Sequence, residues 1–302
     1  MTSIVALGGN ALMRPGERGT AAEQRANLRE ACEALRPLLG EDELVITHGN
    51  GPQVGNELLR HERAAEEVPP LPLYLAVAQT QAEIGALIES ELAPVAGRPV
   101  ACLLTHVVVD EHDPAFAEPT KPVGPFYDEA RAHELERERE WRIVHDSGRG
   151  WRRVVPSPLP LEVVELDSIR SLLRGGAIAI ACGGGGIPVA RRDGRLAGLD
   201  AVIDKDRASS LLARELDADR LVILTEVSAV YRDFGTDAQQ ELRELGADEA
   251  AALIPELAAG SMRPKVESAV EFARATGHDA LITSPAALAE ALDGSAGTLI
   301  TV

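Results

Sequence analysis

Lysine is nearly missing from this chain. Of its 30 Lys and Arg residues, only Lys121, Lys205 and Lys265 are lysine. Cysteine is equally sparse. Cys32, Cys102 and Cys182 are odd in number, far apart and free of any Cys-x-x-Cys pair, which excludes a disulfide framework and a structural zinc site. They read as buried thiols in a reducing compartment. No apolar run approaches the roughly 20 residues that a membrane span needs. The opening MTSIVALGGNALM has no basic flank and no cleavage-like site, so a signal peptide is not expected and the chain is placed in the cytoplasm. Net positive charge is absent as well. At -18 the chain is a poor match for nucleic acid, although a local positive pocket could still hold a small anion. What remains is an ordinary soluble composition, 45% apolar and 26% charged over 302 residues, enough for one large α/β domain.

Short β-branched runs alternate with helical patterns. Residues 3–7, 44–48, 177–182, 221–225 and 280–283 read as buried strands, and 100–109 as a longer one. Thr20 and Glu23 form a capping-box pattern opening a helix through Leu39; 208–216 and 266–276 read as further helices. This alternation predicts an α/β fold with a mainly parallel central sheet covered on both faces. Ligands in such sheets bind beyond the carboxyl ends of the strands. Residues 110–160 break the rhythm with seven prolines, the charged stretch DEARAHELERERE and a turn at Asp146-Ser147-Gly148. They read as a small protruding lid.

Glycines gather where strands end. Gly8-Gly9-Asn10 follows the first strand, His48-Gly49-Asn50-Gly51 the second, and Gly183 to Gly186 a later one. Such loops let backbone N–H groups approach an anion, and a following helix adds its dipole; a tight turn alone would also explain the first. The four-glycine run is not a dinucleotide fingerprint, because Pro188 stands where a third motif glycine is required. No lysine follows a glycine, which excludes a P-loop, and the protein-kinase motifs are missing. The three lysines fall in PTKPVGP, AVIDKD and GSMRPK, all loop-like segments, with Pro264 placing Lys265 near a helix start. A lysine ammonium is compact and mobile where an arginine fork is rigid. Mobile ammonium groups and glycine amides are suitable parts for phosphoryl transfer, which needs positioning and charge neutralisation more than covalent help. His48 reads as structural, since transfer to a carboxylate oxygen leaves no proton to remove.

In their order along nearly the whole chain, IVALGGNAL, ITHGNGPQVG, PTKPVGPFY, WRRVVPSPLP, IACGGGGIPV, AVIDKDRAS, LVILTEV and GSMRPKVE resemble the carbamate kinases of the amino-acid-kinase superfamily. The resemblance implies an open αβα sandwich forming one domain over 1–302. An N-lobe of about 1–200 would take the acid and include a protruding subdomain of about 110–160; a C-lobe of about 201–302 would take the nucleotide. It implies reversible transfer between ATP and carbamate, often in arginine breakdown, by a cytoplasmic homodimer. Lys121, Lys205, Asp206 and Lys265 are the implied catalytic residues. Gly8, Gly9, Asn10, Gly49, Asn50, Gly51, Gly184 and Gly185 are expected at the acid and phosphate. Thr225, Val227, Tyr231 and Met262 are expected at the nucleotide, with Lys205 and Lys265. No protein metal site is expected; magnesium would come on the nucleotide phosphates. The partners expected are these small molecules, with no nucleic acid and no membrane. Two departures fall near the expected nucleotide pocket: Ser228 where the family commonly has an acidic residue, and FGTD where FGKP-like sequence is usual. Two other readings stay open, a relative acting on another small carboxylate or phosphate, and a nucleotide-binding regulator without turnover.

Overall fold

The β-branched runs assemble into an eight-stranded sheet in the order Glu244–Gly246, Thr298–Thr301, Ala280–Thr283, Arg220–Leu224, Thr2–Leu7, Glu43–His48, Ile178–Ile180, Val100–Cys102. Every neighbouring pair is parallel except Ala280–Thr283 with Thr298–Thr301. This is a computed structural model describing residues 1–302 apart from 15, 41–42, 140, 147–149 and 259–260, together with the side chains of 10, 125 and 146. The turn expected at Ser147-Gly148 lies outside the described residues.

The period of two in each strand sends alternate side chains to opposite faces. Ile4, Ala6, Val45 and Ile223 meet helices Leu166–Arg174, Lys205–Glu215 and Met262–Thr276. Val5, Leu7, Ile46 and Val222 meet helices Ala21–Ala34 and Leu73–Ala96. Both faces are thus covered, and each fully buried Leu or Ile contributes roughly 1.5–3 kcal/mol. The expected helix through Leu39 stops at Ala34, because Pro37 cannot continue it and turns the chain into a short 3-10 segment, Arg36–Leu38. The Thr20–Glu23 capping box is formed as expected.

The long strand expected over 100–109 is two strands in different sheets. Val100–Cys102 edges the main sheet, and His106–Val109 joins a second sheet with Pro160–Val163, Ile187–Arg192 and Arg195–Gly198. The break is at Thr105, whose N–H donates to the Gln81 side chain at 2.6 Å instead of a ladder partner. The proline-rich excursion forms a three-stranded antiparallel sheet, Lys121–Tyr127, Gly150–Val155 and Arg142–Asp146, with helix Glu129–Arg139. It rests on helix Gly51–Ala64 through a contact between two glycines: a Cβ on Gly55 would stand 2.6 Å from the Gly124 Cα.

Candidate active site

Helices Lys205–Glu215 and Met262–Thr276 pack side by side through Ala208, Leu212, Val266 and Ala269. Ion pairs Arg207–Glu267 at 3.1 Å and Arg214–Glu271 at 3.0 Å run along the seam. Their N-terminal ends meet, so two positive helix ends face one place. Lys205 opens the first helix and Lys265 sits in the first turn of the second. Both ammonium groups donate to the buried Asp206 carboxylate, Lys205 at 2.6 Å and Lys265 at 2.9 Å. Lys121 arrives from the excursion and donates to Asp204 at 2.9 Å. The three lysines of the sequence therefore converge on two neighbouring aspartates, leaving one positive charge in surplus.

Burial works against each of these charges, and the partners decide the outcome. Asp206 is held below the usual carboxylate range because Lys205 and Lys265 outweigh its desolvation. Asp204 lies below it too, as Lys121 first and then Lys205 and Lys265 overcome burial. Burial lowers the Lys205 ammonium despite Asp206, whereas Lys265 is raised because Asp206, Asp204 and Glu226 exceed its desolvation.

The glycine loops after Glu43–His48 and Ile178–Ile180 interlock. A Cβ on Gly183 would fall 2.3 Å from His48 Nε2, one on Gly184 would fall 2.3 Å from Asn50 Nδ2, and one on Gly185 would fall 2.4 Å from the Ile203 carbonyl. Gly184 and Gly185 also have φ of 65° and 89°, in the left-handed region that favours glycine. Their missing side chains make room for Asn50 and Ile203, a packing role that glycine content by itself did not reveal. Gly49 lies against the Lys205 stem, a Cβ there being 3.2 Å from its Cδ. Asn50 donates to Thr80 Oγ1 at 3.0 Å, and Gly51 begins helix Gly51–Ala64. His48 is fully buried. Its Nδ1–H donates to the Gly49 carbonyl at 3.0 Å, and Nε2 has no partner among the described residues. Burial pushes its pKa down to about 4, so the ring is neutral, in keeping with a structural role.

Chain order reverses beside strand Thr2–Leu7, which pairs with Glu43–His48 on one side and the much later Arg220–Leu224 on the other. At this switch point a cavity of about 1100 Å³ opens. Thr225, Val227, Tyr231, Met262 and Lys265, expected at the nucleotide, line it, and so do Gly8 and Gly9, which were expected at the acid and phosphate. Gly8 must be glycine: a Cβ would stand 2.8 Å from the Leu224 carbonyl. Of the other expected residues, Lys121, Lys205, Asp206, Gly49, Asn50, Gly51, Gly184 and Gly185 are not part of its wall. They lie on the Asp206 side, and Lys265 joins the two groups. The Asn10 side chain is outside the described residues. Ser228, one of the two departures, hydrogen-bonds Tyr231 Oη at 2.9 Å and so steadies a cavity wall. Phe234, from the other, packs its ring at a tilt against Tyr231, 5.8 Å between centroids, and lines the cavity with Leu253 and Leu257. Those apolar walls carried no motif and were not foreseen. Neither was Asp204, although it stood in view beside Lys205.

A mainly parallel sheet with a cluster of ammonium groups and two helix N-termini at its switch point, beside a cavity of nucleotide size, defines an α/β protein that handles phosphate. The chain belongs to the amino acid kinase family, whose sequence model matches residues 1–284. Within that family it groups with the carbamate kinases. It is 46% identical to a carbamate kinase of Halobacterium salinarum, covering 99% of this chain and 97% of the relative. It is 47% identical to one from Haemophilus influenzae, covering 100% and 97%. The structure of carbamate kinase from Giardia lamblia bound to AMP-PNP superposes with a TM-score of 0.92 at 40% identity, covering 99% of this chain and 98% of that one.

Proposed function

We infer that the protein is an ATP-dependent carbamate kinase, transferring a phosphoryl group reversibly between ATP and carbamate to give ADP and carbamoyl phosphate. The observation that carries this reading is the convergence of Lys121, Lys205 and Lys265 on Asp204 and Asp206 at the edge of the cavity. Each ammonium uses one donor on an aspartate and keeps two for phosphate oxygens. The surplus positive charge and the two helix ends favour an anion arriving there. Lys205 and Lys265 neutralise the group in transfer, Asp206 fixes their position, and Lys121 covers it from the lid. Gly8, Gly9, Asn10, Gly49, Asn50 and Gly51, with Gly184 and Gly185 behind them, form the acid and phosphate side. Thr225, Val227, Tyr231 and Met262 form the nucleotide side. The acceptor oxygen is already anionic, so no base is needed, and the neutral buried His48 suits that chemistry. We assign the acid to the lobe spanning about 1–200, with its lid at about 110–160, and the nucleotide to about 201–302.

Magnesium fits this site only as a companion of the nucleotide. Among the described residues no group of three or more His, Cys, Asp or Glu could hold a metal, and Asp204 and Asp206 are already engaged by lysines. Its chemistry would be neutralisation of charge across the nucleotide phosphates. We further propose a cytoplasmic homodimer serving arginine breakdown, as the resemblance implies. Exposed Leu104, Leu159, Leu161 and Leu196, on or beside the four-stranded sheet, offer apolar surface to a second copy.

A coupled assay of ATP formation from ADP and carbamoyl phosphate tests the activity. Folded protein with magnesium should form ATP, and Lys205→Ala should lower kcat by about 100- to 1000-fold. Absence of ATP formation by the folded wild type rejects the reading. A panel of other small acids and UMP tests the acceptor, and nucleotide binding without any transfer would identify a regulator instead.

A further inference from the structure

We propose that Asp204 is a positioning residue that ties the lid to the phosphate site, so that seating Lys121 and ordering the Lys205 helix end are one event. The proposal rests on the phosphoryl-transfer reading above. Its basis is the division of one carboxylate between two elements. Oδ1 caps helix Lys205–Glu215, accepting from the Asp206 N–H at 2.9 Å and the Arg207 N–H at 3.4 Å. Oδ2 accepts from Lys121 Nζ at 2.9 Å, across 83 residues of chain. The cap fixes the side chain, and so fixes where Oδ2 points. Among the described residues, Asp204 is the one acceptor that Lys121 has. Asp206 cannot substitute, because both its oxygens serve Lys205 and Lys265.

The remaining contacts of the lid with the body cannot aim an ammonium group. Val123 and Val155 pack on Val54, Val77 and Val202, Gly124 meets Gly55, and the polar contacts hold other residues, Arg131 donating to Glu62 at 3.3 Å and the Val202 N–H to the Pro156 carbonyl at 3.0 Å. Apolar packing is non-directional, and a lysine stem has four flexible carbons. Direction comes from the carboxylate. Because the same carboxylate orders the first turn of the helix that presents Lys205, displacing it disturbs both sides of the site. An incoming phosphate would meet three ammonium groups already placed, with Lys121 held in the pose from which its spare donors can turn inward.

Asp204→Asn separates this role from simple structure. Asparagine caps a helix as well as aspartate does, but it removes the charge that holds Lys121. Its kcat/KM in the ATP-forming direction should fall about 100-fold, the cost of a roughly 1 Å misplacement, with Tm little changed. In a Lys121→Ala background the same change should cost under about threefold more, since the two residues act as one unit. Asp204→Ser, a cap too short to reach Lys121, should behave alike and serves if the asparagine variant folds poorly. Amide exchange over residues 121–127 should quicken in either variant, a readout that needs no turnover. Full activity of Asp204→Asn, multiplication of the two losses in the double variant, or unchanged exchange would each overturn the proposal. An inactive wild type would reject the kinase reading, with the exchange measurement still deciding the tether.

Discussion

Single residues in this site are chosen for what surrounds them. Asp206 carries two ammonium groups on one buried carboxylate, a geometry in which arginine forks would crowd and lysine points do not. His48 presents the opposite case, a titratable ring used for shape. Its ring fills the space beside Gly183, steadies the Gly49 carbonyl and is neutral at ordinary pH. Its folded pKa of about 4 stands below the unfolded value of 6.5. Below pH 6.5 the unfolded chain takes up a proton that the folded one refuses, so stability falls as acid is added down to about pH 4. The span amounts to about 3 kcal/mol. His106, raised by its bond to Glu165 although burial opposes it, contributes in the opposite sense, so a variant is needed to isolate His48. His48→Asn should lose some stability at pH 7 and show a shallower acid limb in Tm between pH 6.5 and 4.5. An acid limb as steep as the wild type's would show that His48 is not its source.

Elements place these residues. Two helix starts and two glycine loops are brought together by packing, and Gly55, Gly183, Gly184 and Gly185 stand where a methyl group has no room. The Gly55–Gly124 contact is the clearest, since backbone meets backbone and no side chain can yield. Gly55→Ala should lift the lid strand from helix Gly51–Ala64. Activity should fall about 10- to 100-fold, while the global Tm drops only slightly because the eight-stranded core is untouched. Kinetics and thermal melts on the same sample check this, and unchanged kcat/KM would show that the lid tolerates the displacement. At this scale much was legible. Strands at 2–7, 43–48, 220–224 and 280–283 followed from β-branched runs, and the Thr20 cap from its spacing. The division of 100–109 between two sheets was not, because it depends on Gln81, a side chain distant in sequence that takes the Thr105 N–H.

The whole molecule decides what is reachable. Its three thiols lie in or beside the sheet–helix layers, and none lines the cavity. Burial pushes Cys32 up to about 12 and Cys102 to about 11, and drives Cys182 higher still, with nearby Glu91 and Glu89 adding to the first two. The thiolate is the reactive form, so all three should be inert at pH 8. An aromatic disulfide reagent should titrate them slowly in the native protein and at once after unfolding. A fast native thiol would contradict this packing.

The sequence alone determined the alternation of strands and helices, the glycine loops at strand ends, and the three lysines as the residues to watch. These are local properties, set by side-chain period, backbone freedom and residue chemistry. Only the tertiary structure decided that the lysines meet on two aspartates, that Gly184 and Gly185 make room for protein, and that Asp204 faces two elements at once. Those facts depend on distances between segments far apart along the chain, which packing of the assembled core fixes and no local pattern encodes.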